Sequence, residues 1–155
     1  MNVSIGNLVP DFTIAATGDT TVTLSALRGS KVVLYFYPKD ATPGCTLESQ
    51  QFRDLNDQFS AAGAVIFGIS RDNLKSHERF RSNECLPFAL LSDGDEALCR
   101  LFDVIKSKNM YGKQVLGIER STFLIDGDGV LRQEWRKVKP EGHAAEVLAA
   151  VQALA

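Results

Sequence analysis

Apolar positions along the chain alternate between two spacings, and the alternation predicts most of the fold. Residues 31–37 form an unbroken Val-, Leu-, Tyr- and Phe-rich run between Gly29-Ser30 and Pro38, the pattern of a strand buried on both faces of a largely parallel sheet. From Glu48 the pattern changes: Phe52, Leu55 and Phe59 step by three and four residues until Gly63 stops them, as on one face of an amphipathic helix. The order then repeats. Residues 64–70 read as a strand, 73–84 as a helix, 88–92 as a strand, and 95–102 as a helix with Ser92 or Asp93 near its N-cap.

The ends of the chain read differently. Residues 11–15 and 20–24 flank Thr17-Gly18-Asp19 as a short N-terminal hairpin. Residues 106–117 show no clear period and read as a looser stretch. Residues 121–126 and 130–138 flank Gly127-Asp128-Gly129 as an antiparallel hairpin, and the Ala- and Leu-rich residues 142–154 close the chain as a helix. Parallel βαβ units followed by a hairpin and a terminal helix predict an α/β, thioredoxin-like sandwich, a central mixed sheet flanked by helices. At 155 residues, without a linker or an internal repeat, residues 1–155 are expected to form a single domain.

Charge and composition narrow the partners. The 17 Lys and Arg are interspersed with 19 Asp and Glu, so the surface lacks the basic footprint of a nucleic-acid or bilayer binder. The N-terminus has neither a basic nor an apolar leader segment, and no run approaches the ~18 apolar residues of a membrane span, so a cytoplasmic protein is expected. The three cysteines, Cys45, Cys85 and Cys99, are odd in number and lack Cys-x-x-Cys spacing. That argues against a disulfide framework and a zinc site, and for free thiols.

Cys45 is the most informative of them. It lies in Tyr37-Pro38-Lys39-Asp40-Ala41-Thr42-Pro43-Gly44-Cys45-Thr46, at the junction of the predicted strand and helix. If Thr42 is the N-cap, Pro43 falls at N1, Gly44 at N2 and Cys45 at N3. The Thr42 hydroxyl is then expected to accept an N–H bond, Pro43 wastes no donor, and Gly44 lets another group approach the backbone. The helix dipole favours an anion at Cys45. Lowering an ordinary thiol by two pH units takes roughly 2.7 kcal/mol, and a helix terminus supplies about 1, so a second cation is required. Arg120, at the start of the predicted strand 121–126, is the candidate; an edge position in solvent or a pair with Glu119 is the alternative.

Pro38-x-x-x-Thr42-x-x-Cys45 within this longer run resembles the active-site signature of the peroxiredoxins, specifically the bacterioferritin-comigratory, or Q, type. The similarity extends over nearly the whole chain, including Gly68-Ile69-Ser70-Arg71-Asp72, Ser92-Asp93, Phe102-Asp103-Val104 and Arg120-Ser121-Thr122-Phe123-Leu124-Ile125-Asp126. It implies the thioredoxin-like fold and a thiol peroxidase in which Cys45 reduces hydrogen peroxide and organic hydroperoxides through a sulfenic acid. Pro38, Thr42 and Arg120 match the residues shaping its pocket. Glu48 matches a recurrent family residue, either as a first-turn helix acid or as the group that orients Arg120. The reductant implied is thioredoxin, or glutaredoxin or glutathione. No cofactor, metal, nucleic acid or membrane is expected, and a monomer is expected ahead of a weak dimer.

Resolution of the sulfenic acid is less direct. Many Q-type members carry a resolving cysteine five residues after the peroxidatic one, where this chain has Gln50; in another subgroup the alignment lands on Arg81. Cys85, one helical turn further on, is the candidate resolving residue, and resolution by an external thiol is the reading placed ahead of it. Cys99, beside Leu98 and Phe102, reads as core. His77 and His143 lie on predicted helices without carboxylate or Cys companions at ligand spacing. Phe36, Tyr37 and Trp135 read as core first and pocket lining second. A peroxide-sensing or chaperone-like redox switch is the rival function, distinguished by stopping after one equivalent of peroxide.

Overall fold

The computed structural model describes residues 2–154. Its centre is β3 (Lys31–Phe36), which pairs in parallel with β4 (Ala64–Ser70) on one side and antiparallel with β8 (Ser121–Ile125) on the other. β4 continues in parallel to β5 (Leu90–Ser92), and β1 (Thr13–Ala16) joins β5 antiparallel at Ala16 opposite Leu91. With β2 (Thr20–Thr23) and β9 (Leu131–Trp135) at the edges, the seven-stranded order is β2-β1-β5-β4-β3-β8-β9. This is the mixed sheet with an N-terminal hairpin that the pattern predicted.

Alternation along β3 divides the core. Leu34 and Phe36 face a layer with Leu98, Phe102 and Phe123, while Val33 and Tyr35, continued by Tyr37, face one with Phe52, Phe59, Phe80 and Val147. The second layer is covered by α1 (Pro43–Ala61), α2 (Leu74–Asn83) and α4 (His143–Ala153); the short α3 (Ala97–Leu101) lies on the first. Each fully buried Phe contributes about 1.5–3 kcal/mol, so both layers contribute substantially. Lys31 ties the far ends of α1 and α4 together by donating to the carbonyls of Ala62, Val151 and Leu154. These carbonyls lie where helix ends leave acceptors unpaired.

Gly68 is required by this packing. A Cβ there would sit 2.7 Å from Cζ of Tyr35 and 2.8 Å from Cδ2 of Leu90. Without it the Tyr35 ring stacks on Phe52 and its hydroxyl meets Ser49 Oγ at 2.9 Å, which fastens β3 under α1.

Two expectations change. Residues 106–117 are not a loose stretch but belong to a second, two-stranded sheet, β6 (Ile105–Met110) and β7 (Lys113–Ile118). The Tyr111-Gly112 turn joins them with positive φ at both residues, as a tight hairpin requires. Residues 113–116 are exposed and Lys106, Lys108 and Lys113 interrupt the pattern, so no buried face imposes an apolar period. The strand expected over 130–138 ends at Trp135, because left-handed Lys137 at φ 52° breaks the extended run, although Val138 N–H still bonds the Arg120 carbonyl at 3.0 Å. No helix among the described residues is long and apolar enough to cross a membrane.

Candidate active site

The site forms where β3 ends and α1 begins. Thr42 is the N-cap with extended backbone, Pro43 opens the helix, and Cys45 lies in the first turn with 1% of its surface exposed. Thr42 does not cap as expected. Its hydroxyl donates to the Lys39 carbonyl at 2.7 Å and accepts no helix N–H. The loop bends tightly enough, through left-handed Ala41 at φ 62°, to bring that carbonyl under the hydroxyl. The first-turn N–H groups of Gly44 and Cys45, with no intrahelical carbonyl to bond, are left to an incoming oxygen.

Arg120 lies one residue before β8, and the antiparallel register explains why it arrives here. Ser121 pairs with Phe36, the last residue of β3, so Arg120 falls level with the start of the Cys45 loop. Its Nη2 is 3.4 Å from Cys45 Sγ and its Nη1 donates to Glu48 Oε1 at 2.7 Å. Neither solvent nor Glu119 claims it. Gly44 is what permits the approach, since a Cβ there would be 3.1 Å from Nη2. Burial works against the Arg120 charge, but Glu48 and Cys45 outweigh it and hold its pKa above the ordinary value.

Glu48 is fully buried and one of its oxygens, Oε2, meets no partner among the described residues. Burial therefore pushes its pKa up to about 7 in spite of the Arg120 guanidinium. The site thus holds one cation between a sulfur and a carboxyl that titrates near neutrality. Glu48 engages Arg120 directly and lies past the first turn of α1.

A segment after β9 closes the other side. Pro140 Cγ lies 3.5 Å from where a Gly44 Cβ would be, and Gly142 N–H donates to Gln51 Oε1. Half-buried Trp135 stands edge-on to buried His143 in the wall of a cleft of about 370 Å³. Burial and the Arg120 charge lower the His143 pKa to about 4, so the ring is neutral at pH 7; its Nε2 pairs with the Thr122 hydroxyl. Phe36 and Tyr37 are fully buried in the core, and Pro38 is half-buried beside the loop.

Beneath the loop lies a polar cluster that sequence spacing did not reveal. His77, expected without carboxylate companions, faces Asp40 Oδ2 through Nδ1 at 2.7 Å and the Leu91 carbonyl through Nε2 at 2.9 Å. Asp40 also accepts from the Tyr37 hydroxyl and from Ser76 Oγ. Asp72 Oδ2 accepts from the Asp40 N–H and the Ser70 hydroxyl. These carboxylates and the imidazole lie at ligand distances from one another, yet the Asp40 N–H aimed at Asp72 fits a hydrogen-bond network and would oppose a cation. Only Tyr37 and Asp40 fall within the signature run, and His77 lies 37 positions from its partner, so no local spacing marks it.

The other thiols are elsewhere. Cys99 is fully buried, its pKa pushed up by burial and by Asp93. Asp93 spends its carboxylate on the N–H groups of Leu98 and Cys99, in keeping with a capping role at α3. Cys85 is exposed just past α2 in a left-handed conformation, φ 54°, with Sγ 3.8 Å from the Ser82 carbonyl. Its neighbour Glu84 is bonded by Gln50 and Arg53 of α1. Cys45 is buried and Cys85 exposed, and both are free thiols. Arg81 donates to the Phe88 carbonyl.

Comparison with known proteins gives one consistent answer. Residues 5–134 match the AhpC/TSA family. The chain is 58% identical over 143 residues to "Peroxiredoxin Bcp" of Xanthomonas campestris pv. campestris, covering 92% of this chain and 89% of that one. It is 49% identical to "Peroxiredoxin Bcp" of Bacillus subtilis, covering 96% and 94%. Among solved structures, X. campestris peroxiredoxin Q superimposes with a TM-score of 0.89 at 57% identity, covering 92% and 90%. A structure of the same organism's bacterioferritin comigratory protein, concerned with its alkyl peroxide reduction activity, has a TM-score of 0.88. A PrxQ variant from Xylella fastidiosa reaches 0.93 at 43% identity, covering 99% and 98%.

Proposed function

The chain belongs to the AhpC/TSA family and is a peroxiredoxin, a thiol peroxidase, and on that premise we propose that Cys45 is its peroxidatic sulfur, with Thr42, Arg120 and Pro38 forming the peroxide pocket. Residues 1–155 act as one domain. The observation that carries the assignment is Arg120 Nη2 at 3.4 Å from a sulfur seated in the first turn of a helix.

The steps follow from those positions. The Cys45 thiolate attacks one oxygen of a hydroperoxide in line, the S–O bond forms, and the O–O bond breaks. Its electron pair departs with the second oxygen, which takes a proton and leaves as water or an alcohol; sulfur is oxidised to sulfenic acid. The Cys45 N–H and the Arg120 guanidinium face the charge that develops on the oxygens, and the Thr42 hydroxyl accepts from the peroxide O–H. Pro38 and the closing segment at Pro140 limit water at the sulfur. Glu48 and Gly44 support the arrangement, the first by holding Arg120 and the second by giving it room.

Hydrogen peroxide and organic hydroperoxides are the substrates. The sulfenic acid is returned by an external thiol, which attacks the sulfur, releases water and forms a mixed disulfide. A second thiol of the reductant, thioredoxin or glutaredoxin, or a second glutathione, then frees Cys45 as the reductant becomes a disulfide. The protein works as a monomer in the cytoplasm.

Treatment with one equivalent of peroxide followed by non-reducing mass analysis tests this reading. A gain of one oxygen on the Cys45 peptide is expected, with peroxide consumption abolished in Cys45→Ser. A loss of two hydrogens linking the Cys45 and Cys85 peptides would overturn the external route. Full activity in Cys45→Ser would overturn the site.

A further inference from the structure

We propose that the Asp40–His77 pair is a latch between α2 and the loop that leads to Cys45, and that His77 is a positioning residue for peroxide attack. The inference rests on Cys45 being the attacking sulfur. The His77 imidazole is fully buried, and both its ring nitrogens are bonded. The Leu91 carbonyl can only accept, so His77 Nε2 carries a hydrogen; Nδ1 faces a carboxylate oxygen already approached by the Ser76 hydroxyl. With the Tyr37 hydroxyl on Oδ1, three side chains converge on Asp40, and the imidazole is one of them. Every polar atom of both side chains is engaged, in a site where both are nearly excluded from water.

The position of Asp40 gives this pair its leverage. Its side chain is held by α2 and its N–H by Asp72, from the turn that leads into α2. The next residue, Ala41, has a Cβ yet sits at φ 62°, a conformation that costs about 1 kcal/mol and persists only where its surroundings impose it. Thr42 follows, its hydroxyl turned back onto Lys39, and then the first turn with Cys45. Residue 40 is thus the anchor on one side of a strained residue, and the reacting groups are on the other. Releasing the anchor lets Ala41 relax and the first turn loosen.

Catalysis needs both conditions of this loop. Peroxide attack requires the closed pocket, whereas a thiol can reach a sulfur that is 1% exposed only after the first turn opens. A latch therefore acts on the two half-reactions with opposite sign, favouring oxidation of Cys45 and opposing its reduction. Loss of a structural contact alone has no reason to do that.

Two substitutions in the full-length protein separate the possibilities. In His77→Gln the longer amide reaches the Nε2 position and keeps the Leu91 bond but abandons Asp40. In His77→Asn the amide takes the Nδ1 position and keeps Asp40 but abandons Leu91. Stopped-flow measurement of Cys45 oxidation by hydrogen peroxide, and of its subsequent reduction by dithiothreitol, is expected to show oxidation about tenfold slower and reduction faster in His77→Gln. His77→Asn is expected to stay near wild type in both steps. Equal effects in the two variants, or both steps slowed together, would overturn the latch. Should His77→Gln fail to fold, Ser76→Ala removes one donor to Asp40 and is expected to change both steps in the same directions by about threefold, while unchanged rates would overturn it. Mapping the oxidised residue by mass in each sample distinguishes failure of the latch from failure of the Cys45 assignment.

Discussion

Glu48→Gln tests the electrostatics of the site through stability. Glu48 holds its proton to about pH 7 when folded, against an ordinary value of 4.5. A carboxyl that binds its proton more tightly when folded stabilises the protein below the unfolded value, and that stabilisation is lost as pH rises through the folded one. The interval amounts to about 3 kcal/mol lost between pH 4.5 and 7. His143 acts oppositely. Buried and lowered to about 4, it contributes stability that is present above 6.5 and lost as pH falls toward 4. In the wild type the two slopes largely cancel, and urea unfolding should show a shallow pH dependence over this window. Glu48→Gln removes only the first slope. The unfolding free energy of the variant minus that of the wild type should then rise by about 3 kcal/mol from pH 4.5 to 7, whatever constant offset the amide introduces. Parallel curves would refute a Glu48 that titrates near neutrality and with it the picture of one cation shared by two acidic groups.

Cys85→Ser should leave turnover with an external dithiol unchanged in a coupled peroxide-consumption assay, and a loss of turnover would place Cys85 in the resolving role. Gly68→Ala would force a Cβ to within 2.7 Å of the Tyr35 ring and should cost about 2–3 kcal/mol in urea unfolding, because that ring is pinned between Phe52 and Ser49. A neutral result would mean that β3 and β4 can separate more easily than this packing allows.

The fold was legible wherever burial imposed a period. Both faces of β3 are covered, so residues 32–37 carry an unbroken apolar run, and Phe52 and Phe59 mark the inner face of α1 by their spacing. The β6–β7 hairpin was not legible, since residues 113–116 face solvent and nothing selects their pattern. At the site, the single run from Tyr37 to Thr46 announced a thiol at a helix start, and the expected place of Pro43 at the first helical position holds because helix geometry is local. The approach of Arg120 needed the register of β8 on β3, which lies beyond local pattern. The Thr42 hydroxyl turned to Lys39 instead of the helix because left-handed Ala41 tightens the loop, a conformation that no Ala announces in sequence. The Asp40–His77 pair was hidden for a similar reason, since its partners meet only after α2 folds across the end of β3.

The account stands on a guanidinium keeping one sulfur ready to attack. Its most direct test is the second-order rate of Cys45 oxidation by hydrogen peroxide in Arg120→Ala, followed by stopped flow and checked by mass at Cys45. Loss of the group 3.4 Å from the sulfur should slow the step by ~100-fold or more while the protein still folds. A rate equal to that of the wild type would contradict it.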